Sequence, residues 1–557
     1  MFVKPPRIAG PTLAALRAAA ETPATSAAVR EIFKRSLGID RLATLPDEVR
    51  GDLPLDVHPV RARKEVRARH DAKLGAPRSD RAWPRPSAAY QRAYADRVTT
   101  PTRIVERVLA ELETLGSRRP SMNVLTSKDA EAALRDARAS EERWSKGEVL
   151  GPFDGVPFVV KDQHDVAGLS TRLGSRCEPD APKKADATLV ARLRKAGAIV
   201  VGKTVLTEWG MSPIGANANY EMPHNVFDPG RAAGGSSTGS AVAVALGICP
   251  FATGGDGGGS IRIPSALNGI FGIKPTFGRV SRFGDGFQGS VAHPGPVASS
   301  TADLALFLDV VASEADANDP LTAIAPPPPE GGFGALLGAG VKGLRIGIDE
   351  EEWADAAEPI VKACREALAA LEREGAELVK VRMPLARHAA AIGYLTIGPE
   401  ALAGFRHHWL ERRHLINDDV RLSFAVLSGI TALEQIDAQR LRMGLRNEMA
   451  SVLREVDLVA LPTTAITAPR FTEADRATSF SDPLALHGLC RYAFLGNLTG
   501  LPAGTAPVGF DPDGLPIGLQ LIGDAWDEAT VLAAMAHLER LEVASVRRPP
   551  RAIDLFE

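Results

Sequence analysis

Two serines sit in glycine-rich turns 24 residues apart, Ser236 in Gly234-Gly235-Ser236-Ser237 and Ser260 in Gly257-Gly258-Gly259-Ser260. A serine hydroxyl is a weak nucleophile until a base removes its proton. No histidine occurs between residues 234 and 276, so a serine acting here needs a base other than a local imidazole. Lys161, in the apolar context Val159-Val160-Lys161-Asp162, is the obvious candidate. A free lysine, with a pKa of ~10.4, is protonated near neutrality and a poor base. Burial disfavours its charged form and lowers that value. The glycines let backbone approach a substrate closely. Gly257, Gly258, Gly259 and Ser260 can offer successive backbone N–H groups. A helix expected over Ile261–Asn268, with Pro264 in its first turn, begins at their end. Successive donors at a helix start suit the oxyanion of a tetrahedral intermediate.

Glycine-rich turns also bind phosphates, and here the residues argue against it. Gly234 and Gly239 have the spacing of a nucleotide-binding P-loop, but Ser240-Ala241 stands where lysine and a hydroxyl residue are needed. The dinucleotide fingerprint lacks its downstream acid in a clear βαβ unit.

The bulk composition is that of a globular protein, 45% hydrophobic and 24% charged over 557 residues. A net charge of −3 gives no argument for nucleic acid or an anionic membrane as partner. Cys177, Cys249, Cys364 and Cys490 form no CxxC pair, so a structural zinc site is not expected and reduced thiols are. His407 and His408 are adjacent and point in different directions on a helix, which argues against a metal. No metal or cofactor is implied. The N-terminal MFVKPPRIAG is not a signal peptide, and no window approaches the ~18–20 apolar residues of a membrane anchor, so the expected location is cytoplasmic.

The elements that must carry these residues alternate between helix and strand. Residues 1–95 read as an N-terminal extension, helical over Leu13–Thr22 and Ser26–Leu37, charged over Arg61–Lys73 and proline-rich over Gly75–Ser87. It is expected to wrap the surface; a partner-docking arm is the sharper alternative. Helices are expected over Thr102–Leu115, Ala187–Ala196, Ser240–Leu246, Ile360–Leu371 and Asp527–Leu541. Strands are expected over Ala198–Val201, Gly343–Ile348, Glu377–Val381, Asp457–Leu461 and Leu515–Ile522. Such alternation predicts an α/β protein with helices on both faces of its sheet.

Several further motifs stand in order along the chain. They are Gly151-Pro152-Phe153-Asp154-Gly155-Val156-Pro157, Asp165-Val166-Ala167-Gly168, Gly258-Gly259-Ser260-Ile261-Arg262-Ile263-Pro264, Gly272-Ile273-Lys274-Pro275-Thr276, Leu461-Pro462-Thr463 and Gly514-Leu515-Pro516-Ile517-Gly518-Leu519-Gln520. Together with the two serine turns and Lys161, they resemble the amidase signature family of serine hydrolases from about Thr100 to Leu541. The resemblance implies one large domain, residues 96–545, with a central mixed β-sheet, and a C-terminal tail over 546–557. It implies a Ser–Ser–Lys triad: Ser260 the nucleophile, Ser236 a bridging serine after a cis peptide from Gly235, and Lys161 the general base. Ser237, Asp256 and Arg262 are expected to support the turns, and Met211, Gly235 and Tyr492 to border the substrate.

The implied reaction is hydrolysis of a carboxylic amide through an acyl-enzyme, with esters or carbamates as further substrates. The expected partner is a small-molecule amide, the expected state a monomer or homodimer. Two alternatives stand beside this reading. One is the glutaminase-type subunit of a tRNA-dependent amidotransferase; the other is a catalytically inactive binding protein. Many family members carry threonine on each side of the residue matching Asp256, whereas this chain has Gly255 and Gly257; one reading is extra room or flexibility beside the acyl carbon, the other neutral drift compensated by neighbours. The walls of the substrate site are expected in Met211–Asn219, Ala386–Gly429 and Phe471–Leu495, with Trp409, Phe424, Phe480 and Tyr492 as apolar candidates.

Overall fold

The computed structural model describes residues 7–52, 58–62, 83–117 and 119–557. Of the charged and proline-rich runs expected over Arg61–Lys73 and Gly75–Ser87, residues 63–82 lie outside the described residues.

An eleven-stranded sheet organises the fold. From one edge its strands are Leu125–Ser127, Ile199–Thr204, Pro157–Lys161, Phe251–Asp256, His293–Ala298, Phe271–Lys274, Ala503–Phe510, Pro516–Gly523, Leu458–Pro462, Arg345–Ile348 and Glu377–Lys380. The sheet is mixed. Pro157–Lys161 runs parallel to both neighbours, and so does Arg345–Ile348, while the strands from Phe251–Asp256 through Leu458–Pro462 pair antiparallel. Helices flank it, as the alternating pattern predicts. Pro101–Ser117 buries Ile104, Val105, Val108, Leu109 and Leu112 on one side. Glu358–Arg373 and Glu528–Arg540 pack on the C-terminal strands.

The helix Thr238–Leu246 has no exposed residue. Its small side chains let it approach the sheet: a Cβ on Gly239 would lie 2.4 Å from the Val124 carbonyl oxygen. It stops at Gly247, whose φ of +85° is the left-handed cap that glycine adopts most readily.

Some strands carry little signal in the sequence. His293–Ala298 holds Pro294 and Pro296, which lack the N–H a ladder needs. It pairs along six residues with Phe251–Asp256 but meets Phe271–Lys274 only at Val297 and Ala298.

The N-terminal helices run Gly10–Glu21 and Pro23–Ser36. They pack on the helix Asp418–Leu427 around a second apolar cluster that includes Leu13, Val29, Trp209, Phe405, Trp409 and Phe424. Arg421 donates to both carboxylate oxygens of Glu21 at 3.0 and 2.7 Å, and Arg17 lies 3.0 Å from Asp418. Ile8–Ala9 pairs with Phe480–Ser481, pinning the start of the chain to a segment near its other end. Residues 39–51 then cross the long helix Ala432–Glu455, where Gly51 and Gly444 allow backbone to touch backbone.

A Cβ on Gly444 would lie 1.8 Å from the Val49 carbonyl oxygen. The Gly444→Ala protein is therefore expected to lift residues 39–51 off that helix. Limited proteolysis should cut this segment faster than in the wild type, with a stability loss of about 1–3 kcal/mol. Unchanged cleavage would show that the crossing is not tight.

Candidate active site

Lys161 ends a strand of five buried residues, Pro157–Lys161. Its own N–H donates to Thr253 Oγ1 at 2.9 Å. The next residue, Asp162, turns the other way and pairs with Lys203 Nζ at 2.7 Å, also fully buried. Two adjacent buried ionisable residues thus have separate environments. Lys161 Nζ donates to Ser236 Oγ at 2.8 Å and to the Gly255 carbonyl oxygen at 3.0 Å, and among the described residues it has no carboxylate within ion-pair distance. Burial brings its pKa down to about 7, against the opposing pull of Asp285 and Asp256.

Ser236 follows a cis peptide bond from Gly235. Gly234, with φ of +77°, opens the turn, and Ser237 closes it against the second turn. The Ser237 N–H donates to the Ser260 carbonyl oxygen at 3.3 Å, and the Ser237 hydroxyl meets the N–H and carbonyl of Gly255 at 3.4 Å.

Asp256 governs the second turn. Its carboxylate accepts the N–H of Gly259 at 2.7 Å and of Ile261 at 3.1 Å, so it holds the loop from inside. Arg262 forks onto both of its oxygens at 3.0 Å and also donates to the Ala493 carbonyl and Asn497 Oδ1. Burial alone would raise the Asp256 pKa; Arg262 and Asn497 hold it well below the usual carboxylate range. Asp256 and Arg262 are both essentially inaccessible. They shape the loop and do not face the cavity as a charged pair.

Of the four N–H groups expected to meet an oxyanion, one is already taken. The Gly259 N–H is engaged by Asp256. Among the described residues no protein acceptor takes the N–H of Gly257, Gly258 or Ser260. The helix expected after Ser260 is shorter than the sequence suggests, Arg262–Leu267. Ser260 and Ser236 border the same cavity, but the direct link between their hydroxyls is not made: Ser260 Oγ has no hydrogen bond among the described residues.

The cavity in front of Ser260 is largely apolar. Met211 borders it, as do Pro213, Tyr394, Ile397, Val426, Leu427, Leu486 and Phe494, so each of the three expected wall segments contributes. Gly235 and Tyr492 do not. A Cβ on Gly235 would meet the Ser212 carbonyl oxygen, behind the turn. Tyr492 is buried with its hydroxyl donating to the Glu352 carbonyl at 2.9 Å. Trp409 and Phe424 lie behind the wall: Phe424 stacks at 5.6 Å on Trp209, which itself borders the cavity. Phe480 is buried under the Arg7 guanidinium.

The extra room expected at Gly255 and Gly257 is not there. A Cβ on Gly255 would lie 2.7 Å from the Gln163 amide nitrogen, and one on Gly257 would lie 2.7 Å from Ile397 Cδ1. Neighbouring side chains fill both places. Phe33, Lys34, Leu37 and Ile39 complete the cavity wall from the N-terminal segment. The sequence of this segment carries no mark of facing a site so distant along the chain. His408 pairs with Glu178 at 3.1 Å, His407 with Glu411 at 3.2 Å, and among the described residues no group of three could hold a metal.

A family model described as Amidase matches residues 103–532. The chain is 36% identical over 493 residues to a glutamyl-tRNA(Gln) amidotransferase subunit of Chloroflexus aggregans, covering 84% of this chain and 98% of that protein. It is 34% identical over 476 residues to a fatty acid amide hydrolase of Medicago truncatula, covering 84% and 78%. A solved bacterial aryl acylamidase of the amidase signature enzymes superposes with a TM-score of 0.73 at 27% identity, covering 83% of this chain and 97% of that one.

Removing Arg262 would leave Asp256 buried without its cation. Arg262→Met is expected to cost about 3–5 kcal/mol, read as a lower midpoint of denaturant unfolding. An unshifted midpoint would mean that Asn497 and the loop N–H groups suffice for Asp256.

Proposed function

We infer the reaction from the premise that this chain belongs to the amidase family: it is an enzyme that hydrolyses the C–N bond of carboxylic amides, and its working groups are Ser260, Ser236 and Lys161. The observation that carries the residue assignment is the hydrogen bond between the buried Lys161 amine and the Ser236 hydroxyl, in the wall of the cavity that Ser260 borders. In the proposed sequence neutral Lys161 takes the Ser236 proton while Ser236 takes that of Ser260. Ser260 Oγ attacks the amide carbon. The oxyanion forms in front of the N–H groups of Gly257, Gly258 and Ser260, a kind of donor worth about 2.7–4 kcal/mol each to the transition state. The proton returns through Ser236 to the leaving nitrogen, and the amine departs. Water then releases the acid by the same relay.

For the substrate we propose an amide with an apolar acyl or aryl group. Among the described residues, the charged ones bordering the cavity are Lys34 and Asp256, and both are paired, with Glu434 and Arg262. Neither is free to meet the ammonium or carboxylate of glutamine. The relatives acting on fatty acid amides and aryl amides therefore fit this cavity better than the amidotransferase subunit does. Four buried free thiols suit the proposed cytoplasmic location.

A panel of apolar amides, anilides, esters and free glutamine tests the reading. Amine release is expected from the apolar amides, with kcat/KM lower by about 10⁴-fold in Ser260→Ala and in Lys161→Ala. Activity surviving Ser260→Ala would remove the nucleophile assignment; glutamine as sole substrate would favour the amidotransferase subunit. The reaction needs Lys161 unprotonated. kcat/KM should therefore rise about tenfold per pH unit below about 7 and level off above it. A flat profile from about pH 5 to 9 would remove Lys161 as the base.

A further inference from the structure

Gln163 is a polar side chain of the cavity wall that the proton relay does not use. Asp162 before it turns away to Lys203. Gln163 instead lies over Gly255, whose carbonyl holds Lys161; a Cβ on Gly255 would sit 2.7 Å from Gln163 Nε2 and 3.0 Å from Oε1. The bareness of Gly255 is thus what admits this amide. Nε2 donates to Asp285 Oδ1 at 2.7 Å, an oxygen that also accepts the Phe287 N–H at 2.9 Å. Asp285 is buried and its position fixes which end of the amide faces it. The other end, Oε1, has no hydrogen-bond donor among the described residues. Gln163 keeps 7% of its surface, Ser260 9% and Ser236 2%, and all three border the one cavity. An oriented acceptor therefore borders the same mainly apolar cavity as Ser260 and Ser236.

We propose that Gln163 Oε1 accepts a hydrogen bond from the N–H of the scissile amide and so makes the site select amides over esters. The inference rests on the reaction assigned above and adds a specificity-determining residue to it. An ester offers an oxygen where the amide offers a donor, and leaves the Gln163 acceptor unpaired. A site built to bond an N–H discriminates against the analogue that lacks it.

The test is the ratio of kcat/KM for an amide and an ester of the same acyl group, measured on one sample so that the folded fraction cancels. In full-length Gln163→Met the ratio is expected to fall about 10-fold or more. An unchanged ratio in Gln163→Met, with both activities falling together, would overturn the proposal and leave Gln163 a packing partner of Asp285. Should Gln163→Met not fold, the wild type decides: a secondary amide should exceed its N-methyl counterpart by about 10-fold or more, and equal rates would overturn the proposal. Failure of the underlying reaction would look different, as wild-type amide hydrolysis that is absent or that survives Ser260→Ala.

Discussion

A lysine amine buried with a hydroxyl and a carbonyl oxygen as its partners is the constraint around which this structure is arranged. Charged, such an amine would cost several kcal/mol to hold out of water. Neutral, it is a base. The fold keeps carboxylates out of contact with Lys161 while placing two, Asp256 and Asp285, close enough to temper the shift. Each of those is tied elsewhere, Asp256 to Arg262 and Asp285 to Gln163. A direct ion pair with Lys161 would favour its protonated form, which cannot accept a proton.

The same separation recurs one residue on. Asp162, just past its strand, and Lys203 on the neighbouring strand pair with each other, so the carboxylate adjacent to Lys161 in sequence does not reach it. Asp256 and Arg262 then fix the glycine loop by its backbone. Three N–H groups of that loop are left without protein acceptors among the described residues, because the fourth anchors it. Loop geometry and donor availability are thus set by one buried pair. The glycines permit the conformation, and the pair selects it.

The cavity is assembled from far-separated pieces. The turn at Trp209–Met211, the helices around Tyr394 and Leu427, the segment Ser481–Phe494 and the N-terminal helix ending at Ser36 all meet in front of Ser260. The N-terminal segment, legible only as two amphipathic helices, is a wall of the site. Its Lys34 pairs with Glu434, the residue that also closes the capping box of the long helix Ala432–Glu455. Gly255 and Gly257 illustrate the limits of reading volume from residue size. Both places are occupied by side chains from elsewhere, Gln163 and Ile397.

By itself the sequence determined the chemistry and most of the framework. Serines in glycine turns, a lysine in an apolar run and the absence of a histidine from residues 234–276 are local features, and local features define which groups can react. Periodic elements such as Pro101–Ser117 and Glu358–Arg373 were legible for the same reason, since one helix face carries its own record. A central strand with two prolines was not, because its pairing depends on neighbours. Only the tertiary structure decided which N–H groups lack an acceptor among the described residues, which aromatic rings border the cavity and where the N-terminal helices lie. Those outcomes depend on hydrogen bonds and packing between residues far apart in the chain, and no local pattern encodes them.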